Sequence, residues 1–84
     1  MKEIEFVLRP EDEYIELIKL LKLQSVAQTG GHAKMMVEEG SVVVDGVVEY
    51  RKRNKLRAGA VVEVAEEGVR ILVLGDNNQK HTTP

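Results

Sequence analysis

Charged and apolar residues alternate from Glu3 to Phe6, and the apolar run continues through Val7 and Leu8, the two-residue period of a short strand at a domain edge. Pro10 ends it. Tyr14, Leu17, Ile18 and Leu21 then recur at i, i+3, i+4 and i+7, which predicts a helix from Glu11 to about Leu23. Glu11, Asp12 and Glu13 fall where the positive end of that helix would favour acids. Ile15, Leu20 and Leu23 widen its apolar stripe, so it has to be covered on more than one side.

A second helix is predicted from Thr29 to Gly40. Thr29 can cap it, Gly30 and Gly31 lie in its first turn, and Ala33, Met36 and Val37 make a narrow buried face. Lys34 and Glu38 are spaced to pair on its exposed flank. Val42 to Val44 read as a β-branched strand, Asp45-Gly46 as a two-residue hairpin turn, and Val47 to Tyr50 as the return. Beyond the turn at Ala58-Gly59, Val61 to Val64 and Val69 to Leu74 are two further antiparallel strands joined through Glu66-Glu67-Gly68. From Gly75 to Pro84 nothing remains to bury. The expectation is one α+β domain over 1–74, two helices packed on an antiparallel sheet of about four or five strands, and a disordered polar tail over 75–84.

Composition narrows the function more than the fold. An 84-residue chain makes one domain with a modest core and leaves little room for an enclosed substrate cavity. No apolar run approaches the length of a membrane span, and the N-terminus lacks the apolar stretch of a secretory signal, so a cytoplasmic setting is expected with no membrane contact. Without cysteine there is no thiolate site. A single histidine in the folded region, His32, with no cysteine supplies neither converging ligands nor a nucleophile and base, so neither a metal, another cofactor nor a catalytic role is expected. The chain is expected to bind rather than to catalyse.

Charge is where the pattern becomes specific. Arg51, Lys52, Arg53, Lys55 and Arg57 stand within seven positions that contain no acid, leaving seven basic and fourteen acidic residues for the rest of the chain. A formal net charge of −2 therefore hides a strongly positive segment. Within it Leu56 is expected in the core and Asn54 in a turn. Arg57 is a weaker member, since it follows Leu56 into the next turn.

The order of these parts resembles a known family. Leu17 to Leu23, then Thr29, Ala33 and Glu39-Gly40, then Val42 to Gly46 and the basic continuation through Leu56, are similar to the small RNA-binding domain named after ribosomal protein S-four, in its short stand-alone form. The resemblance implies an αL-type fold. It also implies a non-catalytic protein that binds structured RNA, ribosomal or transfer RNA, in ribosome assembly, translation or RNA maturation, with ribosome-associated proteins as further partners. It places the RNA surface on the second helix, the loop before it, and the hairpin with its basic segment. The residues expected to carry it are Arg51, Lys52, Arg53 and Lys55 through phosphate contacts, with Lys34 and the Thr29, Gly30 and Gly31 backbone completing the surface. The second helix has fewer cations than the family pattern, so weight falls on the basic run. Tyr14 and Phe6 are expected in packing, which favours recognition by shape and phosphate over base reading.

Each feature also has a plainer reading. Thr29 to Gly31 are equally a capped helix start, Lys34 equally a partner of Glu38, and the basic run equally a solvated loop. An adaptor that turns the basic strip toward an acidic protein is the alternative function.

Overall fold

The alternation at the start of the chain becomes strand β1 (Lys2–Leu8) in the computed structural model, which describes residues 1–75. The remaining strands are β2 (Ile15–Glu16), β3 (Val43–Val44), β4 (Val47–Val48), β5 (Lys55–Leu56), β6 (Val61–Val64) and β7 (Val69–Gly75), with helices α1 (Leu17–Leu23) and α2 (Gly30–Glu38). Five strands form one sheet in the order β1-β7-β6-β3-β4, and β2 and β5 form a separate two-stranded ladder. Two helices on a small sheet are as expected. The sheet is antiparallel except at its edge, where β1 runs parallel to β7 from Lys2↔Val69 to Leu8↔Gly75. Arg70 straps that edge, its guanidinium donating to Glu3 at 3.1 Å and to Glu63 at 2.9 Å across three strands.

The first helix begins later than its apolar stripe predicts. Residues 9–14 form turns, and Ile15-Glu16 are strand, paired with Leu56-Lys55. The acids read as a helix start do other work: Asp12 and Glu11 lie 2.9 and 3.5 Å from the Arg9 guanidinium. Tyr14 and Ile15 satisfied a helical spacing, but a register with residues forty positions away in the chain decides their conformation, and local periodicity carries no trace of it. From Leu17 the expectation holds. Leu17, Leu20 and Leu21 are fully buried against Val37, Val62, Ile71 and Val73 in one core, each such side chain contributing about 1.5–3 kcal/mol.

Both helices end in the same hydrogen-bonded motif. In α1 the Ser25 amide donates to Lys22 and the Val26 amide to Leu21; in α2 Gly40 donates to Val37 and Ser41 to Met36. The motif needs a left-handed residue. Gly40 supplies it at φ +80°, whereas at the end of α1 a serine, Ser25, adopts φ +60°. The hairpin follows its sequence signal, with Asp45 and Gly46 both at positive φ as the two-residue turn requires. Asp45 Oδ1 accepts the Val61 amide at 2.9 Å and so tethers β6 to the turn. The expected tail lies outside the described residues, apart from Gly75, which closes β7.

Candidate nucleic-acid interface

The basic run is a loop fixed by its main chain. The first amides of a helix have no partner within it, and α1 offers no capping side chain at Glu16. Instead the Leu17 amide donates to the Asn54 carbonyl at 3.0 Å and the Ile18 amide to the Lys52 carbonyl at 3.1 Å. Loop carbonyls are thus drawn inward to cap α1. The Arg53 and Lys55 side chains remain exposed, while Lys52 and Asn54 are half-buried.

Glu49 holds the loop from its other side. Its carboxylate accepts from the Arg51 amide at 2.8 Å, from Arg51 Nε at 2.9 Å and Nη2 at 3.1 Å, and from Asn54 Nδ2 at 3.0 Å. The hydrogen bonds from Arg51 hold the Glu49 carboxyl below its ordinary pKa, against the opposing effect of desolvation. Arg51 therefore arrives at the surface with its charge partly answered. Lys52, Arg53 and Lys55 form no ion pair among the described residues, and they are the freer cations of the loop.

The other half of the predicted surface stands apart. Thr29 Oγ1 accepts the His32 amide at 3.0 Å, which is the expected cap, and His32 Nδ1 accepts the Gln28 amide at 3.2 Å. A Cβ placed on Gly30 would be 3.9 Å from Lys22 Cδ, so the start of α2 lies beside the end of α1. The basic loop caps the opposite end of α1, roughly 10 Å away for a helix of this length. Thr29, Gly30 and Gly31 are thus not gathered with Arg51 to Lys55 into one cluster. Lys34 is exposed on α2, and the Lys34–Glu38 pair is not formed among the described residues. The far end of α2 does approach the basic segment, through Tyr50, whose hydroxyl would lie 3.1 Å from a Cβ at Gly40.

Sequence reasoning missed three contributors. Lys22 adds a cation beside Gly30, Glu49 orders the loop, and Tyr14 is a surface residue rather than a packed one. The residue is 37% exposed, with Lys55 Nζ 5.0 Å and Arg57 Cζ 5.6 Å from the ring centroid. Arg57 also approaches Glu13 at 3.8 Å. The i, i+3 spacing of Lys19 and Lys22 was a usable signal for Lys22; Tyr14 needed the β2–β5 register. Elsewhere an open groove of about 850 Å³ runs between the end of β1 and α1, with Val7 and Leu23 exposed among charged residues of both signs, Arg9 and Lys19 beside Glu11, Asp12, Glu13 and Glu16. Among the described residues no group of three or more potential ligands could hold a metal ion.

The family model of the S4 domain matches residues 8–72. YbcJ of Escherichia coli (strain K12), whose provisional name makes it an RNA-binding protein, is 44% identical over 59 residues, covering 70% of this chain and 84% of that relative. RlbA of Bacillus subtilis (strain 168), named provisionally as a ribosome maturation protein, is 41% identical over 54 residues, covering 64% of this chain and 76% of its own. The solution structure of E. coli YbcJ, described as revealing an αL motif involved in RNA binding, aligns with a TM-score of 0.57 at 39% identity, over 86% of this chain and 87% of that one.

Proposed function

We propose, from the premise that this chain belongs to the S4 domain family, that it binds structured RNA and carries out no reaction on it. One observation carries the reading. The densest positive segment of an otherwise acidic chain is held rigid by main-chain bonds to α1 and by Glu49, so its cations are presented without a large ordering cost. Lys52, Arg53 and Lys55 make the principal phosphate contacts and Arg51 a lesser one. Lys34, Lys22 and the amides at Thr29, Gly30 and Gly31 meet a second stretch of backbone at the other end of α1. A folded RNA presents phosphates at both places, as a flexible strand does not without being ordered. The name of the Bacillus relative, a ribosome maturation protein, favours ribosomal RNA, with transfer RNA the other folded class and the cytoplasm the setting of either. No helix among the described residues is long and apolar enough to cross a membrane.

The adaptor reading has one observation in its favour, the groove beside α1 with Val7 and Leu23 exposed in it, which suits a protein partner better than a nucleic acid. Fluorescence anisotropy separates the two. The protein is titrated against a labelled ribosomal RNA stem-loop, a matched single strand and a duplex DNA at two salt concentrations, with a K52A/R53A/K55A variant alongside. Preference for the stem-loop, lost in the variant, supports RNA binding. Indifference to all three ligands at low salt removes it.

A further inference from the structure

The β2–β5 ladder sorts its residues by alternation. Ile15 and Leu56, paired with each other, are 6% and 2% exposed and face the core. Glu16 and Lys55 are the next pair, and the register carried one residue the other way sets Tyr14 opposite Arg57. The outer face of the ladder is therefore an exposed aromatic ring with two cations across from it, both within 6 Å of its centroid. Beyond them lies a depression of about 450 Å³, lined in part by Asn54, Lys55, Arg57 and Gly59.

We propose that Tyr14, Lys55 and Arg57 form a nucleotide-stacking site, in which an unpaired base of the RNA lies against the Tyr14 ring while the two cations hold the phosphates on either side. This rests on the RNA-binding reading above and adds a requirement to it: the RNA must offer a base that is out of its helix. Phosphate contact alone uses the ring at most to position the cations. A base, by contrast, replaces the cations over the ring with its own π-face, and the released ammonium and guanidinium each gain a phosphate. A continuous duplex cannot make this exchange because its base faces are stacked on one another. Two carboxylates bound the site, Glu16 opposite Lys55 and Glu13 at 3.8 Å from Arg57. They repel further phosphates, which limits the site to about one nucleotide, and Glu13 holds Arg57 in reserve when RNA is absent.

The test uses two RNA hairpins, one fully paired in its stem and one with a single bulged 2-aminopurine. The wild-type protein is expected to bind the bulged RNA about tenfold more tightly, the usual worth of one base on one aromatic side chain, and to quench the 2-aminopurine. Tyr14→Phe keeps both effects. Tyr14→Leu, with its thermal midpoint measured to show that it is folded, loses the preference and the quenching, and Glu13→Gln strengthens binding to both RNAs. Equal weakening of both RNAs by Tyr14→Leu would overturn the proposal, because the ring would then only position the cations. Binding of both hairpins by the wild type without preference or quenching also overturns it and leaves RNA binding intact. Failure to bind either hairpin removes the RNA-binding reading itself, and this site with it.

Discussion

The Ile18 amide donates to the Lys52 carbonyl at 3.1 Å, so the first helix and the basic loop are each part of the other's structure. Glu49 is the third member of this arrangement, since its carboxylate holds Arg51 and Asn54 on the loop's far side. Replacing Glu49 by Ala should therefore be felt in α1, although the carboxylate's hydrogen bonds go to Arg51 and Asn54. The expected result is faster hydrogen exchange at the Leu17 and Ile18 amides, with a global cost of about 1–2 kcal/mol. Unchanged exchange at those two amides would separate the loop from the helix.

Glu49 also makes the domain sensitive to acid. Its pKa is lower folded than unfolded, because the folded carboxylate accepts hydrogen bonds from Arg51. The folded state thus binds fewer protons, and the stabilisation is complete above the unfolded value of about 4.3 and fades as the pH falls through the folded one. Urea midpoints measured from pH 7 down to pH 3 should drop more steeply below that value in the wild type than in Glu49→Gln.

The two helix ends make a matched pair of opposite sign. Ser25 holds at φ +60° the position that Gly40 holds at φ +80°. Ser25→Gly should stabilise the protein by about 0.5–1 kcal/mol, because glycine has no Cβ to strain there. Gly40→Ala should destabilise it by about 1–2 kcal/mol from the left-handed backbone alone, and its new methyl would press on the Tyr50 hydroxyl at 3.1 Å. Chemical denaturation of both variants reads the two signs directly.

Within the basic loop the cations should not be equivalent. Arg51 is already paired with Glu49, whereas Lys52 and Arg53 form no ion pair among the described residues. Lys52→Ala and Arg53→Ala should each lower the slope of log affinity against log salt by about one. Arg51→Ala should lower it less, and Glu49→Gln should raise affinity by releasing Arg51 if the loop keeps its shape. Anisotropy titrations across a salt series rank them.

The sequence was readable where conformation is decided nearby. Asp45-Gly46 fixed the hairpin through its own backbone preferences, and Thr29 with Ala33, Met36 and Val37 fixed the start and buried face of α2. It misled where a distant partner decides. Tyr14 and Ile15 fit a helical stripe, but the pairing of Ile15 with Leu56 holds them extended and turns the Tyr14 ring outward. The parallel edge was hidden for the same reason: alternation marks β1 as a strand without saying which neighbour it finds or in which direction. The basic run was visible as composition. That Glu49 engages Arg51 more fully than its neighbours was not, because the selection is made by the fold of the loop, not by spacing.

The edge strand sets a constraint on how the protein is made. Glu3 and Arg70, whose side chains meet at 3.1 Å, are 67 positions apart, and among the described residues the whole of β1 pairs only with β7. During synthesis β1 emerges before the other strands of this domain and is the last of them to find its partner, waiting while both helices and the hairpin are made. Ile4, Phe6 and Leu8, which complete the core from that strand, stay open to water or to a chaperone for that interval. The charges at Lys2, Glu3 and Glu5 then serve a second purpose, keeping an unpaired nascent strand from joining another of its kind.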